Sequence, residues 1–185
     1  EVEGFVNSEK GKALMASEPD LPPLLDNHAR LRTMPTGSVA HAYCDFMERE
    51  GLTAAGLVEE YERSMPNHYA DLMEWYISRN RDTHDMLHIL TGYGRDSLGE
   101  ACVLAFTYGQ NPAPGHLFIA YLAGWEIMKQ SRGSGAKIFA AINQARRHGR
   151  GAPRVAEQPI EDLLVRDLED VRRDWHIGAP TAYTA

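Results

Sequence analysis

The sequence predicts an all-α fold, organised as a single compact helical domain over residues 1–185. Leu, Met, Ala, Glu and Arg dominate, and runs of alternating β-branched residues are almost missing, so the periodic segments favour helix. Hydrophobic residues make up 43% of the chain and charged residues 24%, which is a globular composition. A chain of 185 residues buries a core without disulfides or a structural metal, so stability alone does not require an ion.

Turn and capping residues divide the chain into helices. Pro22-Pro23 precedes a short turn, Ser38 at the end of "MPTGS" is suited to be an N-cap, and Gly133 and Gly135 separate two later segments. No repeat of about 20 to 50 residues and no long linker divides the chain further. The predicted helices are residues 5–17, 38–50, 53–64, 66–90, 97–109, 115–131, 135–148 and 159–174.

Charge and hydropathy exclude several kinds of partner. The net charge is −7 and the pI is near 5.6, so no overall positive field attracts nucleic acid. The most apolar window, residues 116–128, is shorter than the roughly 20 residues of a spanning helix and contains Glu126, so we expect no transmembrane segment. The apolar surface of residues 115–128 suits either a membrane surface or a homodimer. Cys44 and Cys102 form no CxxC pair and are expected to be buried thiols of a reducing compartment.

The stretch "RDTHDMLHIL" carries two histidines at helical spacing. His84 and His88 are four residues apart, so they lie on one face of the predicted helix. This spacing suits two imidazoles that bind one ion. Asp85 lies about 100° round the helix from His84, so it reaches that face only at its edge.

A glycine turn then brings a carboxylate towards the histidines. "TGYG" breaks the helix, and Gly92 and Gly94 can take a positive φ, so the next helix is expected to fold back as an antiparallel hairpin. Glu100, in the first turn of that second helix, would return beside the histidines. Two imidazoles with one or two carboxylates suit zinc, iron(II) or manganese, and three protein ligands leave a position open for water or substrate.

Spacing alone leaves other interpretations open. Ser97 and Glu100 also fit a capping box in which Glu100 bonds only the Ser97 backbone amide, and His84 with Asp85 fits an ordinary buried polar pair. A metalloprotease is not indicated, because Asp85 is too short to replace the catalytic Glu of HExxH. A phosphohydrolase built on an HD pair is a weaker interpretation of the motif, because no companion HD pair is formed by His28, His41, His68 or His116.

Residues around the motif have simpler expected roles. Asp82 is expected to pair with an arginine or to face solvent, with the orientation of a histidine as the alternative, and Asp45 is expected to be structural. Basic residues crowd the segment 145–154, "ARRHGRGAPR", which we predict as a solvated loop, with contact to anionic lipid headgroups or partner proteins as the alternative. Apolar residues at helical spacing are predicted to be core, although a prenyl tail would need the same lining: Tyr43, Phe46, Leu72, Trp75, Tyr76, Leu117, Ala120, Tyr121 and Trp125.

The motif resembles that of a known family. "HDMLH", followed by eleven residues and Glu100, is similar to the HDxxHx11E signature of the Coq4 family of ubiquinone biosynthesis proteins. "RLRTMPTGSVAHAYCDFM", "LTGYGRDSLGEACVLAF" and "EDLLVRDLEDVRRDWHI" also resemble stretches of that family, so the likeness covers about residues 31–177. Ala40-His41 and Cys44 depart from the family's usual residues, which affects substrate detail more than the metal motif.

The resemblance implies an all-α protein at the periphery of a membrane, with an isoprenoid-binding cavity and other quinone-biosynthesis proteins as partners. It implies that His84, Asp85, His88 and Glu100 bind a metal and act in replacing the C1 carboxylate of a polyprenylated hydroxybenzoate by hydroxyl. The oxidant is open, because no flavin or nicotinamide fingerprint is present and oxygen activated at the metal is the simplest route.

Two further expectations follow from this family likeness. The location is then the cytoplasmic side of the inner membrane in a bacterium, or the matrix side of the mitochondrial inner membrane in a eukaryote. The alternative function is a non-catalytic scaffold that binds a prenyl lipid and organises other enzymes.

Overall fold

The computed structural model describes residues 2–64, 72–111, 114–130 and 135–184. All regular secondary structure in these ranges is helical, and the β-type pairing found there is one isolated bridge between Ser38 and Asp167. The prediction of an all-α fold is therefore confirmed. The elements are α1 Val2–Val6, α2 Glu9–Ser17, α3 Pro22–Leu25, α4 His28–Leu31, α5 Val39–Glu50, α6 Ala54–Ser64, α7 Leu72–Asp82, α8 His84–Thr91, α9 Ser97–Gln110, α10 Pro114–Gln130, α11 Gly135–Gly151, a 3-10 turn Val155–Glu157, α12 Ile160–Leu164 and α13 Leu168–Asp174.

Three predicted helices are in fact interrupted. The predicted helix 5–17 divides at Ser8, whose hydroxyl accepts from the Gly11 amide at 3.0 Å and caps a new helix. The predicted helix 66–90 begins outside the described residues, and its remainder divides at Thr83. The predicted helix 159–174 divides after α12, because the Arg166 carbonyl accepts from the Val39 amide at 2.8 Å instead of continuing the helix.

Ser38 begins α5 as predicted. Its backbone is extended, and its hydroxyl accepts from the His41 amide at 3.3 Å. Gly51 ends the same helix in the left-handed conformation, with φ of 67°. A local polar residue and a local glycine are sufficient to set both ends of this helix.

The described residues pack as two compact units that alternate along the chain, one of residues 1–86 and 155–168 and the other of residues 87–154 and 169–185. The first unit contains a buried ion pair: the Arg79 guanidinium lies 2.5 Å from Glu18, and only 1% and 7% of the two side chains are exposed. Arg79 also donates to the Ala156 carbonyl at 2.7 Å. Glu18 accepts from the amides at the start of α12, so this pair joins distant parts of the unit.

The second unit is built on α9, α10 and α11, which pack against one another. α9 and α11 approach closely where glycines face backbone: a Cβ on Gly149 would lie 2.0 Å from the Phe106 carbonyl oxygen, and one on Gly109 would lie 2.4 Å from that of Arg146. No side chain fits at either position. The glycines therefore set the distance between these two helices.

α10 presents an apolar face to solvent. Trp125, predicted to be core, is 50% exposed, so that prediction is wrong, whereas Ala120 is fully buried as predicted. The other exposed apolar residues of α10 are Phe118 at 69%, Ile119 at 49% and Leu122 at 49%. We call these three residues and Trp125 the α10 apolar stripe. Among the described residues, none of the helices is both long and apolar enough to span a bilayer.

Candidate metal centre

The three motif residues of α8 lie together. His84, Asp85 and His88 each offer a ligand atom, and these atoms all lie within 4.8 Å of one another. Asp85 is 5% exposed and His88 is 2% exposed, whereas His84 is half-buried. One turn of helix therefore presents two imidazoles and a carboxylate to the same place, and Asp85, expected only at the edge of the face, belongs to the cluster.

Asp85 also lies within electrostatic range of Tyr43 on α5. Burial, and next the charge of Asp85, raise the pKa of the fully buried Tyr43 phenol, so it keeps its proton. Tyr43 and Phe46 lie in the core as predicted.

A backbone carbonyl orients the His88 ring. Nδ1 of His88 lies 3.1 Å from the carbonyl oxygen of Tyr93, in the turn that follows α8. Because a carbonyl only accepts, Nδ1 carries a proton and donates it. In the neutral ring Nε2 then carries the lone pair, which is the form of imidazole that binds a metal ion.

The start of α9 differs from the capping-box alternative. Asp96, not Ser97, is the N-cap, and its Oδ1 accepts from the amides of Leu98 at 3.1 Å and Gly99 at 3.2 Å. The residue at the capping-box position is therefore Gly99, which has no side chain. The capping-box interpretation of Glu100 is wrong.

Glu100 lies beside His88 in the second unit. Its Oε1 is 3.5 Å from His88 Nε2 and 3.9 Å from Arg95 Nε, and 36% of the Glu100 side chain is exposed. With the His88 proton on Nδ1, Nε2 and the carboxylate oxygen are both acceptors. A second ring proton or a bound metal ion would make this contact favourable.

The donor set fits a divalent metal ion. Two ligand atoms bound at about 2.1 Å in a tetrahedral site lie about 3.4 Å apart, close to the 3.5 Å between His88 Nε2 and Glu100 Oε1. Glu100 is not part of the mutual cluster of His84, Asp85 and His88. Imidazole nitrogens with carboxylate oxygens suit zinc, iron(II) or manganese.

The turn between α8 and α9 is held by residues that the sequence analysis missed. Gly92 has a φ of 77°, as expected, whereas Gly94 does not have a positive φ. Arg172 donates to the carbonyls of Leu90 at 3.0 Å and Ile89 at 2.6 Å, in the last turn of α8. The signal for Arg172 was its place in the C-terminal stretch that resembles the family.

Other predicted residues have structural contacts. Asp82 pairs with Arg81 at 2.7 Å, as predicted, but it is 4% exposed and does not face solvent. Burial raises its pKa. Asp45 pairs with Arg32 at 2.6 Å. The basic segment is not a loop for most of its length, because α11 continues to Gly151.

The second unit also contains an open pocket of about 330 Å³, lined by both apolar and polar residues. Leu98 of α9, Ile127 of α10 and Ile138 of α11 supply its apolar lining. The polar groups around it include Asp96 and Lys137. A ligand with both apolar and polar parts suits this lining.

The fold and the site define an all-α protein with a candidate metal-ligand cluster on one helix and a carboxylate from the next helix beside it. A sequence profile described as "Coenzyme Q (ubiquinone) biosynthesis protein Coq4" matches residues 3–181. The chain therefore belongs to the Coq4 family, as its motifs predicted.

Individual relatives agree with this assignment. The chain is 25% identical over 181 residues to "Ubiquinone biosynthesis protein COQ4, mitochondrial" of Podospora anserina, covering 96% of this chain and 56% of that protein. It is 25% identical over 173 residues to the human "Ubiquinone biosynthesis protein COQ4 homolog, mitochondrial", covering 92% and 62%. The chain thus spans between about half and two thirds of the length of these mitochondrial relatives.

A solved structure supports the fold. The crystal structure of a "Putative ubiquinone biosynthesis protein" from Nostoc punctiforme superposes with a TM-score of 0.70 at 20% sequence identity, covering 96% of this chain and 80% of that chain. At this identity the likeness establishes a shared fold.

Proposed function

We propose that this chain acts in ubiquinone biosynthesis, where it replaces the C1 carboxylate of a polyprenylated hydroxybenzoate by hydroxyl with the help of a divalent metal ion. The observation that carries the proposal is the cluster of His84, Asp85 and His88 on α8, with the Glu100 carboxylate 3.5 Å from His88 Nε2. Membership of the Coq4 family supports the pathway. Zinc, iron(II) and manganese all match the donor set.

The proposed reaction needs an oxidant and an electron donor. A ring carboxylic acid, dioxygen, two electrons and two protons give a ring hydroxyl, carbon dioxide and water. The bond between the ring and the carboxyl carbon breaks, and a bond between the ring and oxygen forms. Dioxygen is the proposed oxidant, and a two-electron donor from outside the chain supplies the electrons.

The residues of the chain have distinct proposed tasks. A bound divalent ion would supply a Lewis acid for the substrate's carboxylate or adjacent phenol oxygen. His88, oriented by the Tyr93 carbonyl, presents Nε2, and buried Asp85 supplies negative charge next to it. Glu100 is the partly exposed carboxylate, so it marks the side from which substrate enters. His84, His88 and Glu100 as the three protein ligands, with Asp85 beside them, would leave a coordination position open for substrate.

Metal content tests the first part of the proposal. We expect purified wild-type protein, reconstituted with zinc, iron(II) or manganese, to hold about one ion per chain by inductively coupled plasma mass spectrometry. Glu100→Ala should lose most of it while its circular dichroism spectrum stays helical. Glu9→Ala, which removes a carboxylate whose side chain is 97% exposed, is the control and should keep the ion. Wild-type protein that holds no ion after reconstitution would end the metal proposal.

Complementation separates catalysis from scaffolding. We expect His84→Ala and Glu100→Ala to stay folded, to keep binding prenyl lipid and to fail to restore quinone formation in a strain that lacks its own protein. Full quinone formation by these variants would contradict the enzymatic proposal. Glu9→Ala again serves as the control.

The second candidate function is a scaffold that binds a prenyl lipid and presents it to other quinone-biosynthesis proteins. The pocket to which Leu98, Ile127 and Ile138 contribute apolar side chains favours it, because a prenyl tail is apolar. Leu98→Asp should abolish binding of a fluorescent prenyl lipid under both functions. Only under the scaffold function should the loss of metal ligands leave quinone formation intact.

We propose a membrane surface as the partner of the α10 apolar stripe. Phe118, Leu122 and Trp125 follow the spacing of one helix face and are between 49% and 69% exposed. Trp125 has the Lys129 ammonium 5.9 Å from its ring, and a tryptophan beside a lysine is typical of an interface between membrane and water. The membrane side is then the matrix side in a mitochondrion, or the cytoplasmic side in a bacterium.

Vesicle binding tests this surface. We expect Leu122→Ser and Phe118→Ser to reduce flotation with vesicles that contain anionic lipid. Val165→Ser, which changes a residue 46% exposed in the turn after α12, should not. If flotation is unchanged and size-exclusion chromatography shows that the variants disrupt a dimer, the stripe is a contact between two copies and the membrane proposal is wrong.

A further inference from the structure

The C-terminal segment of the chain contacts the turn between α8 and α9. The hydroxyl of Tyr183 accepts from the Gly94 amide at 3.1 Å and donates to Oδ2 of Asp96. Its ring packs edge-on against Tyr93, with ring centroids 5.3 Å apart. All four residues belong to the second unit. One side chain, 89 residues away from Gly94 in sequence, thus contacts three residues of this turn.

The contact with Asp96 affects the helix that carries Glu100. Asp96 uses Oδ1 to cap α9 and Oδ2 to accept from Tyr183. Its backbone carbonyl accepts from the Glu100 amide at 2.9 Å. The hydroxyl therefore holds the residue that begins the first turn of α9.

The contacts with Tyr93 and Gly94 affect the side of the turn that orients His88. The Tyr93 carbonyl accepts from His88 Nδ1 at 3.1 Å, while the Tyr93 ring packs on Tyr183. A Cβ on Gly94 would lie 2.7 Å from the Tyr183 hydroxyl oxygen, so a larger residue would displace this hydroxyl. Gly94 is thus explained by the close approach of Tyr183.

The segment that carries Tyr183 is fixed independently of the turn. Gln144 of α11 donates to Thr181 Oγ1 at 2.9 Å, and its Oε1 accepts from the Ala182 amide at 2.8 Å. Burial, and next its hydrogen bond to Asp96, raise the pKa of Tyr183 to about 12, so the phenol keeps the proton that it donates. The hydroxyl is therefore a fixed, neutral group.

We propose that Tyr183 is a positioning residue of the candidate metal centre, whose hydroxyl holds the turn between α8 and α9 so that His88 and Glu100 stay at ligating distance. The inference rests on the proposed metal function. Tyr183 is not proposed as a ligand, because its contacts are with Tyr93, Gly94 and Asp96. Its loss should weaken ion binding without removing a ligand.

The experiment compares Tyr183→Phe, which keeps the ring and removes the hydroxyl, with wild-type protein. Tyr121→Phe is the control, since it removes a hydroxyl that bonds Asn143 elsewhere in the same unit. Zinc affinity is measured by competition with a chromophoric chelator, the cobalt(II) spectrum reports the ligand geometry, and thermal unfolding reports stability. We expect Tyr183→Phe to bind zinc about tenfold more weakly, with an altered cobalt spectrum. Tyr121→Phe should match wild type in both.

The outcomes separate the two proposals. If wild-type protein binds zinc and Tyr183→Phe binds it equally, with the same cobalt spectrum, the positioning role is wrong and the metal proposal stands. If wild-type protein binds no zinc or cobalt, both fail. Should Tyr183→Phe not fold, Gln144→Ala is the second variant. It removes the hydrogen bonds that hold the segment of Thr181 and Ala182 to α11, while Tyr183 keeps its hydroxyl. Unchanged zinc affinity in that variant would also contradict the positioning role.

Discussion

At the scale of single residues, orientation decides what the motif can do. A neutral histidine on a helix face is oriented as a metal ligand when one ring nitrogen donates a hydrogen bond and the other presents its lone pair. In His88, Nδ1 donates to the Tyr93 carbonyl, and Nε2 lies 3.5 Å from Oε1 of Glu100. The chemistry that we propose depends on this orientation as much as on the identity of the motif residues.

The buried ion pair of the first unit gives a prediction about stability. Glu18 lies 2.5 Å from Arg79 and also accepts from two amides of α12. Glu18→Ala therefore removes the carboxylate that neutralises the buried Arg79 guanidinium and leaves both amides without this acceptor. We expect a loss of about 3 to 5 kcal/mol in the free energy of unfolding, measured in urea. Glu9→Ala, at an exposed pair with Lys12, should change it by less than about 1 kcal/mol. A Glu18→Ala protein as stable as the control would contradict this reading of the pair.

The buried thiol of Cys102 gives a prediction about reactivity. Burial, and next the charge of Asp96, raise the pKa of Cys102 to about 12, and the residue is fully buried. Because the thiolate is the reactive form, we expect iodoacetamide at about pH 8 to modify Cys102 slowly in the native chain and rapidly in guanidinium chloride. Mass spectrometry measures both rates. Equal rates would show that α9 does not protect the thiol.

The same thiol has a predictable effect on stability at high pH. Its pKa in the folded chain lies above the ordinary value of 9.0, so the folded state holds the proton more tightly than the unfolded state. Its contribution to stability is complete below pH 9.0 and falls as the pH rises towards about 12. Cys102→Ala should therefore lose less stability than wild type over this interval, as measured by thermal unfolding. A steeper loss in the variant would contradict the sign.

At the scale of helices, close packing is set by residues that lack side chains. α9 and α11 meet at Gly109 and Gly149, where a Cβ would overlap backbone oxygen of the other helix. Backbone atoms move less easily than side-chain ends, so the two helices would have to separate to admit a methyl group. Because α9 carries Glu100, the position of the candidate ligand depends on this packing.

Substitution of Gly149 tests the packing of α9 and α11. We expect Gly149→Ala to reduce the free energy of unfolding by about 1 to 3 kcal/mol, because its Cβ would lie 2.0 Å from the Phe106 carbonyl oxygen. Gly151→Ala is the matched control in the same helix, since its Cβ would meet only His176 at 3.8 Å, and it should change stability by no more than about 0.5 kcal/mol. If the two variants were equally stable, the close approach would not matter energetically.

At the scale of the whole molecule, a metal ion that binds the folded chain must stabilise it. Free ion at about 100 times its dissociation constant adds about 2.7 kcal/mol to the free energy of unfolding. For a chain of 185 residues this raises Tm by about 5 to 10 °C. We expect this rise on addition of zinc to apo protein, reversal by a chelator, and a much smaller rise in Glu100→Ala. An equal rise in that variant would place the ion elsewhere in the chain.

The sequence by itself determined the features that depend on neighbouring residues. Helical composition predicts the all-α class, Ser38 starts α5 through a bond three residues ahead, and the spacing of His84 and His88 places them on one helical turn. Each is decided within a few residues, so local pattern is enough. The motif likeness also led to the correct family.

Only the tertiary structure decided the features that join distant residues. The exposure of Trp125 depends on which face of α10 packs against α9 and α11, and an apolar helix does not specify that face. Arg172 reaches the end of α8 across 82 residues, and Tyr183 reaches Asp96 across 87. Such contacts have no local periodicity or spacing, because the free energy that forms them comes from packing whole helices together.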